Sequence, residues 1–342
     1  MKWELVSAKK SFEKYSNDWD KLNASYFEVH PYFDSRFVEP LISNFADSDH
    51  FLAIGREDGS ISRMLVLERR SAVAWAIFRP SQAQITPLMM PDLGGLPDLF
   101  KELPGPGLSV DFLCQDPVYS PFHPDSRKSS EHWKNYVETM SISVQNSFED
   151  YWTSRSRNLR KSISRRINKY EVEPRLVVHS DNEQIQKALY RYGIMESSGW
   201  KGKDGTAIHP DNIQGKFYGQ VLEEFAETRG AFIFELYIGN DMAASQVAIG
   251  NGSMLVMLKT TFDENLSHLA PGRVLQYMLL EREFSRRQHE VLEYYTDATD
   301  EQKSWATHTR QIYHVGVARN PALQAVFGIA RGGRQLARRF FH

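Results

Sequence analysis

Residues 231–288 read AFIFELYIGNDMAASQVAIGNGSMLVMLKTTFDENLSHLAPGRVLQYMLLEREFSRRQ. Three β-rich runs, AFIFELYIG (231–239), MAASQVAIG (242–250) and SMLVMLKTTF (253–262), follow one another there. The turn signals Gly239-Asn240-Asp241 and Gly250-Asn251-Gly252 separate them, so the spacing predicts consecutive antiparallel strands. The stretch from Ala270 is helical in pattern: Pro271 suits a first turn, and Val274, Leu275, Met278 and Leu279 share an apolar face.

Upstream lie a strand, PRLVVH (174–179), and two helices, DNEQIQKALYRYGIMESS (181–198) and DNIQGKFYGQVLEEFAETRG (211–230), the second ending at a Gly cap. Downstream come a strand VLEYYTDA (291–298), a helix EQKSWATHTR (301–310) and a strand YHVGVA (313–318). The order is strand, two helices, three antiparallel strands, helix, strand, helix, strand, and no doubly wound dinucleotide fold begins with such a hairpin series. Before this unit, Ser147 and Asp150 have capping-box spacing and predict one long helix, with Trp152, Leu159, Ile163 and Ile167 at near-helical spacing. Its other side carries Arg155, Arg157, Arg160, Lys161, Arg165, Arg166 and Lys169.

The first half is less legible. It opens with helix-like segments, then gives HFLAIGREDGSISRMLVLERR (50–70), a hairpin around Asp58-Gly59. AVAWAIFRP (72–80) is β-rich, residues 86–107 predict an ordered Pro/Gly-rich loop, LSVDFLCQD (108–116) a buried strand, and HPDSRKSSE (123–131) a surface connection. A boundary near 145 gives two domains, 1–145 and 146–342, consistent with a chain of 342 residues.

Composition narrows the function classes. Hydrophobic residues at 41% and charged residues at 25% are ordinary globular values. The net charge of −2 lacks the basic excess of a dedicated nucleic-acid binder, so DNA is not an expected partner and any polyanion contact is local. Cys114 is the only cysteine, which excludes an intrachain disulfide and a cysteine-based zinc site. With no signal peptide pattern and no long uncharged apolar run, a soluble cytoplasmic protein is expected. There is no P-loop, GxGxxG after a strand, GxSxG or HExxH, and the scattered histidines predict no metal site.

The segments RNLRKSISRRINKYE (157–171), ESSGWKGKDGTAI (196–208), LAPGRVLQYMLLE (269–281) and the region of Lys303 carry a resemblance to the bacterial CelD-like subfamily of GNAT acyltransferases, related to the Fem aminoacyl transferases. HPYFDSRFVEPLISNF (30–45) and the Asp58-Gly59 hairpin carry it more weakly in the first half. The resemblance implies an α/β fold of tandem GNAT-like domains, each a mixed sheet flanked by helices. The C-terminal domain would carry an acyl-CoA site and the N-terminal domain would serve the acceptor side. It implies N-acylation of an amino-sugar, an amino-acid derivative or an envelope or polysaccharide precursor, with acyl-CoA as co-substrate and no metal. The rival readings are a Fem-like transferase using aminoacyl-tRNA and a non-catalytic module in polysaccharide synthesis.

Local chemistry gives candidate roles. A diphosphate needs N–H donors at a helix N-terminus, which LAPGRVL (269–275) offers: Gly272 permits close approach, and Arg273, Val274 and Leu275 supply N–H groups. The family's pantetheine contacts fall on the backbone of Leu258, Lys259, Thr260 and Thr261. Arg157 and Arg160 are candidates for an anionic acceptor, and Trp200 and Lys201 for the acceptor cleft. Acyl transfer to an amine needs a proton acceptor and a donor to the oxyanion. Asp263, Glu235, Asp297 and His268 are candidate bases. Lys303 matches the family's lysine near the transferred acyl group, preceded here by Gln302 instead of the usual aromatic residue. The terminal run AVFGIARGGRQLARRFFH (325–342), with Arg331, Arg334, Arg338 and Arg339, is compatible with contact to an anionic membrane surface.

Overall fold

The structure is a computed structural model, and it describes residues 1–198, 208–209 and 211–327. The chain divides into two compact units, one built from Met1–Glu138 together with the segment from Gln311, the other from Thr139–Arg310. The expected boundary near 145 treats everything after it as one domain; here the chain crosses back once more near its end.

The first unit contains β1 (Lys2–Ser7), α1 (Ala8–Phe27), α2 (Ser35–Phe45), β2 (His50–Glu57), β3 (Ser60–Arg69), β4 (Ala74–Ile77), α3 (Leu96–Glu102) and β5 (Ser109–Gln115). Its sheet runs β1-β2-β3-β4-β5 and is completed by β12 (His308–Ala318). The β2–β3 hairpin turns at Asp58 and Gly59, both with positive φ (49° and 85°), the backbone that an Asp-Gly pair favours in a two-residue hairpin. Its core packs Trp3, Leu65, Leu67, Trp75, Ile77, Phe100 and Phe112 together. β1 was not legible as a strand because it is short and leads directly into α1. α3 lies within the stretch expected to be loop, a seven-residue helix with Pro97 in its first turn.

The second unit holds α4 (Phe148–Ser154), α5 (Arg157–Ile167), β7 (Pro174–His179), α6 (Asn182–Ser198), α7 (Ile213–Ala226), β8 (Ala231–Ile238), β9 (Asp241–Gly250), β10 (Met254–Phe262), α8 (Pro271–Arg286), β11 (Val291–Tyr294) and α9 (Asp300–Lys303). Its strand order is β6-β11-β10-β9-β8-β7, where β6 is Glu131–Ser143. The three consecutive strands and α8 fall where their periodicity placed them. α8 buries Val274, Leu275, Leu279, Leu280 and Phe284 against Phe232, Phe234, Leu255 and Met257 of the sheet. Each such side chain contributes roughly 1.5–3 kcal/mol, so the helix is fixed by packing.

Three expectations are corrected. The helix opened by the Ser147–Asp150 capping box is interrupted: α4 stops at Arg155 and α5 restarts with Ser156, whose side chain accepts from the Leu159 N–H. The predicted helix 301–310 reduces to α9, because from His308 the chain is already strand. The strand containing YHVGVA does not close the second unit's sheet. Tyr313–Ala318 pairs antiparallel with β5 of the first unit, while β11 takes Met140–Ser143 of β6 as its partner. Each unit thus borrows its last strand from a distant part of the chain, which no local pattern records.

Candidate active site

β10 runs beside β11 in parallel for three residue pairs, Met254↔Val291 to Val256↔Glu293, and there the pairing stops. On its other edge β10 continues against β9 as far as Phe262↔Ala244. From Met257 onward one edge of β10 therefore faces no strand, and the sheet opens. A bulge between Met257 and Lys259 leaves Leu258 without a register partner. That extra residue reverses the alternation. Thr260 and Phe262 now share the face of Phe234 and Gln246, whereas Lys259 and Thr261 turn to the face of Glu235 and Ser245.

A cavity of about 460 Å³ occupies the opening, a size suited to a small-molecule ligand. Gln246, Thr260 and Phe262 line it from the strands, and Leu275, Gln276 and Leu279 from α8. The start of α8 forms one end. Ala270 precedes it in the left-handed region (φ 52°), a conformation costing an alanine roughly 1–2 kcal/mol, and no side chain caps the helix. Of its first-turn N–H groups, that of Arg273 is taken by the Ala270 carbonyl (3.0 Å), and that of Gly272 has no acceptor one turn earlier in the helix. Pro271 removes one donor, and a β-carbon added at Gly272 would meet nothing within 4 Å, so the approach is open.

The remaining wall comes from Met140, Tyr294, Glu301, Gln302 and Trp305, with Arg166 reaching in from α5. The Trp305 carbonyl is held by the Tyr151 hydroxyl (2.7 Å) and, with that of Ala306, by the Arg155 guanidinium. Arg155 is thereby a structural clamp. Arg166 differs, since its Nε is buried and meets no protein acceptor. Arg273 pairs with Glu301. Tyr294 accepts a hydrogen bond from Gln276 Nε2 at 2.5 Å, and burial pushes its phenol far above the usual range, against a smaller lowering by that bond. It stays protonated at neutral pH. Thr260 donates to Gln246 Oε1.

Of the residues singled out in the sequence, Thr260, Gly272, Arg273 and Leu275 line the cavity, whereas Val274 points into the core beneath it. Leu258 is the bulge residue, Lys259 lies 6.0 Å from the Tyr218 ring on the far face, and Thr261 shares that face. Asp263 caps the 3-10 turn Glu264–Leu269 by accepting from Asn265, and His268 is exposed within that turn. Glu235 is wholly buried on the face opposite the cavity, bonded to His179 (2.8 Å) and Arg191 (2.9 Å). Burial alone would raise its carboxyl, but those two partners outweigh it and hold the carboxyl below its ordinary range. Asp297 is exposed in the β11–α9 connection. Lys303 closes α9, next to the lining residue Gln302. Arg157 is exposed at the start of α5, and Arg160 Nε donates to the Arg155 carbonyl at 3.3 Å. Trp200, Lys201 and the arginines of the terminal run lie outside the described residues.

Sequence reasoning missed Glu301, Tyr294 and Trp305. Glu301 is the one carboxylate among the lining residues. Arg166 was visible only as one cation in a run. The sequence signal for it is the apolar pair Leu159 and Ile163, the buried face of α5; Arg166 follows Ile163 by three positions and so shares that side of the helix.

Comparison with known proteins agrees with this geometry. Residues 157–303 match the family model described as an acetyltransferase (GNAT) domain. No curated protein matches the chain in sequence. Among solved structures, the chain is similar to FemX, at a TM-score of 0.58 and 11% identity over 95% of this chain and 100% of that one. It is also similar to the C-terminal domain of a protein named as lysylphosphatidylglycerol synthetase from Agrobacterium fabrum (TM-score 0.54, 12% identity, 92% and 96% covered). L-PGS from Bacillus licheniformis gives 0.50 at 10% identity, with 84% and 90% covered. At these identities the likeness is one of fold. No helix among the described residues is long and apolar enough to cross a membrane. The splayed strands and the open helix start fall on the same stretch of chain, residues 157–303, that matches the acetyltransferase (GNAT) domain model.

Proposed function

We propose that the protein is an acyl-CoA-dependent N-acyltransferase, with its donor lying along the open edge of β10 and its diphosphate at the start of α8. The observation that carries this reading is the opening between β10 and β11 that ends at an uncapped helix N-terminus. β-edge N–H and C=O groups that face no neighbouring strand suit the amide-rich pantetheine arm, and the Gly272 N–H with the helix dipole suits a diphosphate. Arg166, with a buried and unpartnered Nε, adds a cation on the same cavity. The amine of the acceptor attacks the thioester carbonyl directly. Tyr294, neutral and lining the cavity, donates to the departing thiolate or the developing oxyanion. Lys303, carried over from the CelD-like resemblance, acts through its charge. That resemblance supports an amino-sugar, an amino-acid derivative or an envelope precursor as acceptor, with the first unit on the acceptor side.

Calorimetry with free CoA tests the donor site. Gly272→Ala in the empty protein gains helix propensity and raises stability by about 0.5–1 kcal/mol, while its methyl group occupies the approach and weakens CoA binding by about tenfold. A loss of stability with unchanged affinity removes α8 from the site. With acetyl-CoA and amine acceptors, Tyr294→Phe lowers turnover by about 100-fold with CoA affinity within twofold, and Lys303→Ala lowers it less. The reverse order makes Lys303 the principal group.

The second reading, transfer from aminoacyl-tRNA, is favoured by the fold likeness to FemX over nearly the whole chain and by the exposed cations of α5, Arg157, Lys161 and Arg165. Product formation that depends on charged tRNA and not on acetyl-CoA would establish it. Absence of any CoA binding would favour a non-catalytic module.

A further inference from the structure

The cavity wall holds an ion pair, Arg273 of α8 with Glu301 of α9, and both partners are partly exposed, at 35% and 44%. Arg273 stands in the first turn of α8, where the donor's diphosphate would lie. A guanidinium there has two claimants, one carboxylate already bound and a more highly charged diphosphate that it meets in the same forked geometry.

We infer that Arg273 is shared: a bound donor draws it from Glu301 to the diphosphate, and Glu301, released inside the cavity, becomes the proton acceptor for the attacking amine. The inference rests on the donor reading above. Three observations support it. Glu301 is the one carboxylate lining the cavity, while Asp263 serves as a cap and Glu235 lies on the opposite face. The pair joins the donor end of the cavity to α9. The other charged or titratable groups around it are Arg166 of α5 and Tyr294 of β11 in the lining, with Asp300 and Lys303 on its own helix.

The acceptor's ammonium gives one proton to Glu301. Its nitrogen then forms a C–N bond to the acyl carbon as the C–S bond breaks, and the second nitrogen proton passes to the thiolate, by way of Tyr294 or directly. Glu301 returns its proton to water as Arg273 comes back. In the empty enzyme the base is masked, so an amine arriving before the donor finds no proton acceptor.

Titration calorimetry with free CoA on the full chain tests the exchange without needing the acceptor. Because the pair competes with the donor, Glu301→Gln binds CoA about two- to fivefold more tightly, the range expected for breaking an exposed ion pair. Arg273→Ala binds about tenfold more weakly. The double variant matches Arg273→Ala, since Glu301 has nothing left to withhold. Glu301→Ala serves as a second variant and tightens binding likewise. A carboxylate that loses a neighbouring cation holds its proton more strongly. Repeating the titration at mildly acidic pH in buffers of different ionisation enthalpy therefore shows more proton uptake in the wild type than in Glu301→Gln. Unchanged or weaker binding by both Glu301 variants, or equal proton uptake, overturns the shared arginine while leaving the donor site standing. Failure of the wild type to bind CoA overturns the donor reading and this inference with it.

Discussion

The two units share one strand plan and treat its opening in opposite ways. In each, antiparallel strands lead to a short parallel pairing, β4 with β5 and β10 with β11, of three residue pairs apiece. In the second unit the space beyond that pairing is the cavity. In the first, the chain's own backbone fills it. β4 ends after four residues, and the segment that follows takes the vacated place. Met89 exchanges both backbone hydrogen bonds with Met64 of β3 (2.9 and 3.0 Å), and the Thr86 N–H donates to the Cys114 carbonyl of β5 at 3.2 Å. The Thr86 hydroxyl donates to the Leu113 carbonyl at 2.5 Å and accepts from Gln115 Nε2 at 2.8 Å. Leu88, Met89 and Met90 are buried there. The helix that follows is correspondingly short, seven residues in α3 against sixteen in α8. A fold that splays its sheet creates backbone groups needing partners; in the first unit this protein supplies peptide, and in the second it leaves a cavity beside them.

Filling the open site has the largest expected effect. Thr260 is exposed and lines the cavity. Thr260→Trp should lower CoA affinity by about 100-fold, equivalent to roughly 2.7 kcal/mol, with stability changed by about 0.5 kcal/mol or less. Retained affinity would place the donor elsewhere. The complementary change in the first unit is Thr86→Ala, which removes two buried hydrogen bonds. It should cost about 1–3 kcal/mol in urea denaturation and leave CoA affinity within twofold. An effect on CoA would break the contrast between the units.

The smallest effect concerns pH. Cys114 has φ +52°, and its N–H, turned out of the ladder, is taken by His314 Nδ1 at 3.0 Å. Burial, with the charges of Arg79 and Lys134, lowers the His314 imidazole to about 4. Its folded value lies below its unfolded value, so the unfolded chain binds the proton first. Stability is therefore full above about 6.5, falls as pH drops toward about 4, and changes no further from this group below that. His314→Gln should flatten that part of the stability profile. An unchanged slope would show that another group governs it.

What was legible in the sequence was what short stretches encode. Alternation and Gly-rich turns marked β8, β9 and β10, and Pro271 with its apolar stripe marked α8, so Thr260, Gly272, Arg273 and Leu275, singled out there, line the cavity. The base candidates failed to converge for a reason that single elements cannot reveal. Glu235 is a plausible base on a central strand until its register with Ser245 assigns it to the other face. Lys259 and Thr261 would face the cavity in a regular strand, and one bulge turns them away.

By itself the sequence determined the order of elements from β7 to β11, the solvent and core faces of α8, and the absence of an intrachain disulfide, because these depend on composition and on periodicities of two and 3.6 residues. Tertiary structure alone decided which splay stays open, which strand closes each sheet, and that Arg166, Tyr294, Glu301 and Trp305 meet at one cavity. Those outcomes depend on pairing and residue parity between segments far apart in the chain, where a single inserted residue exchanges one face for the other.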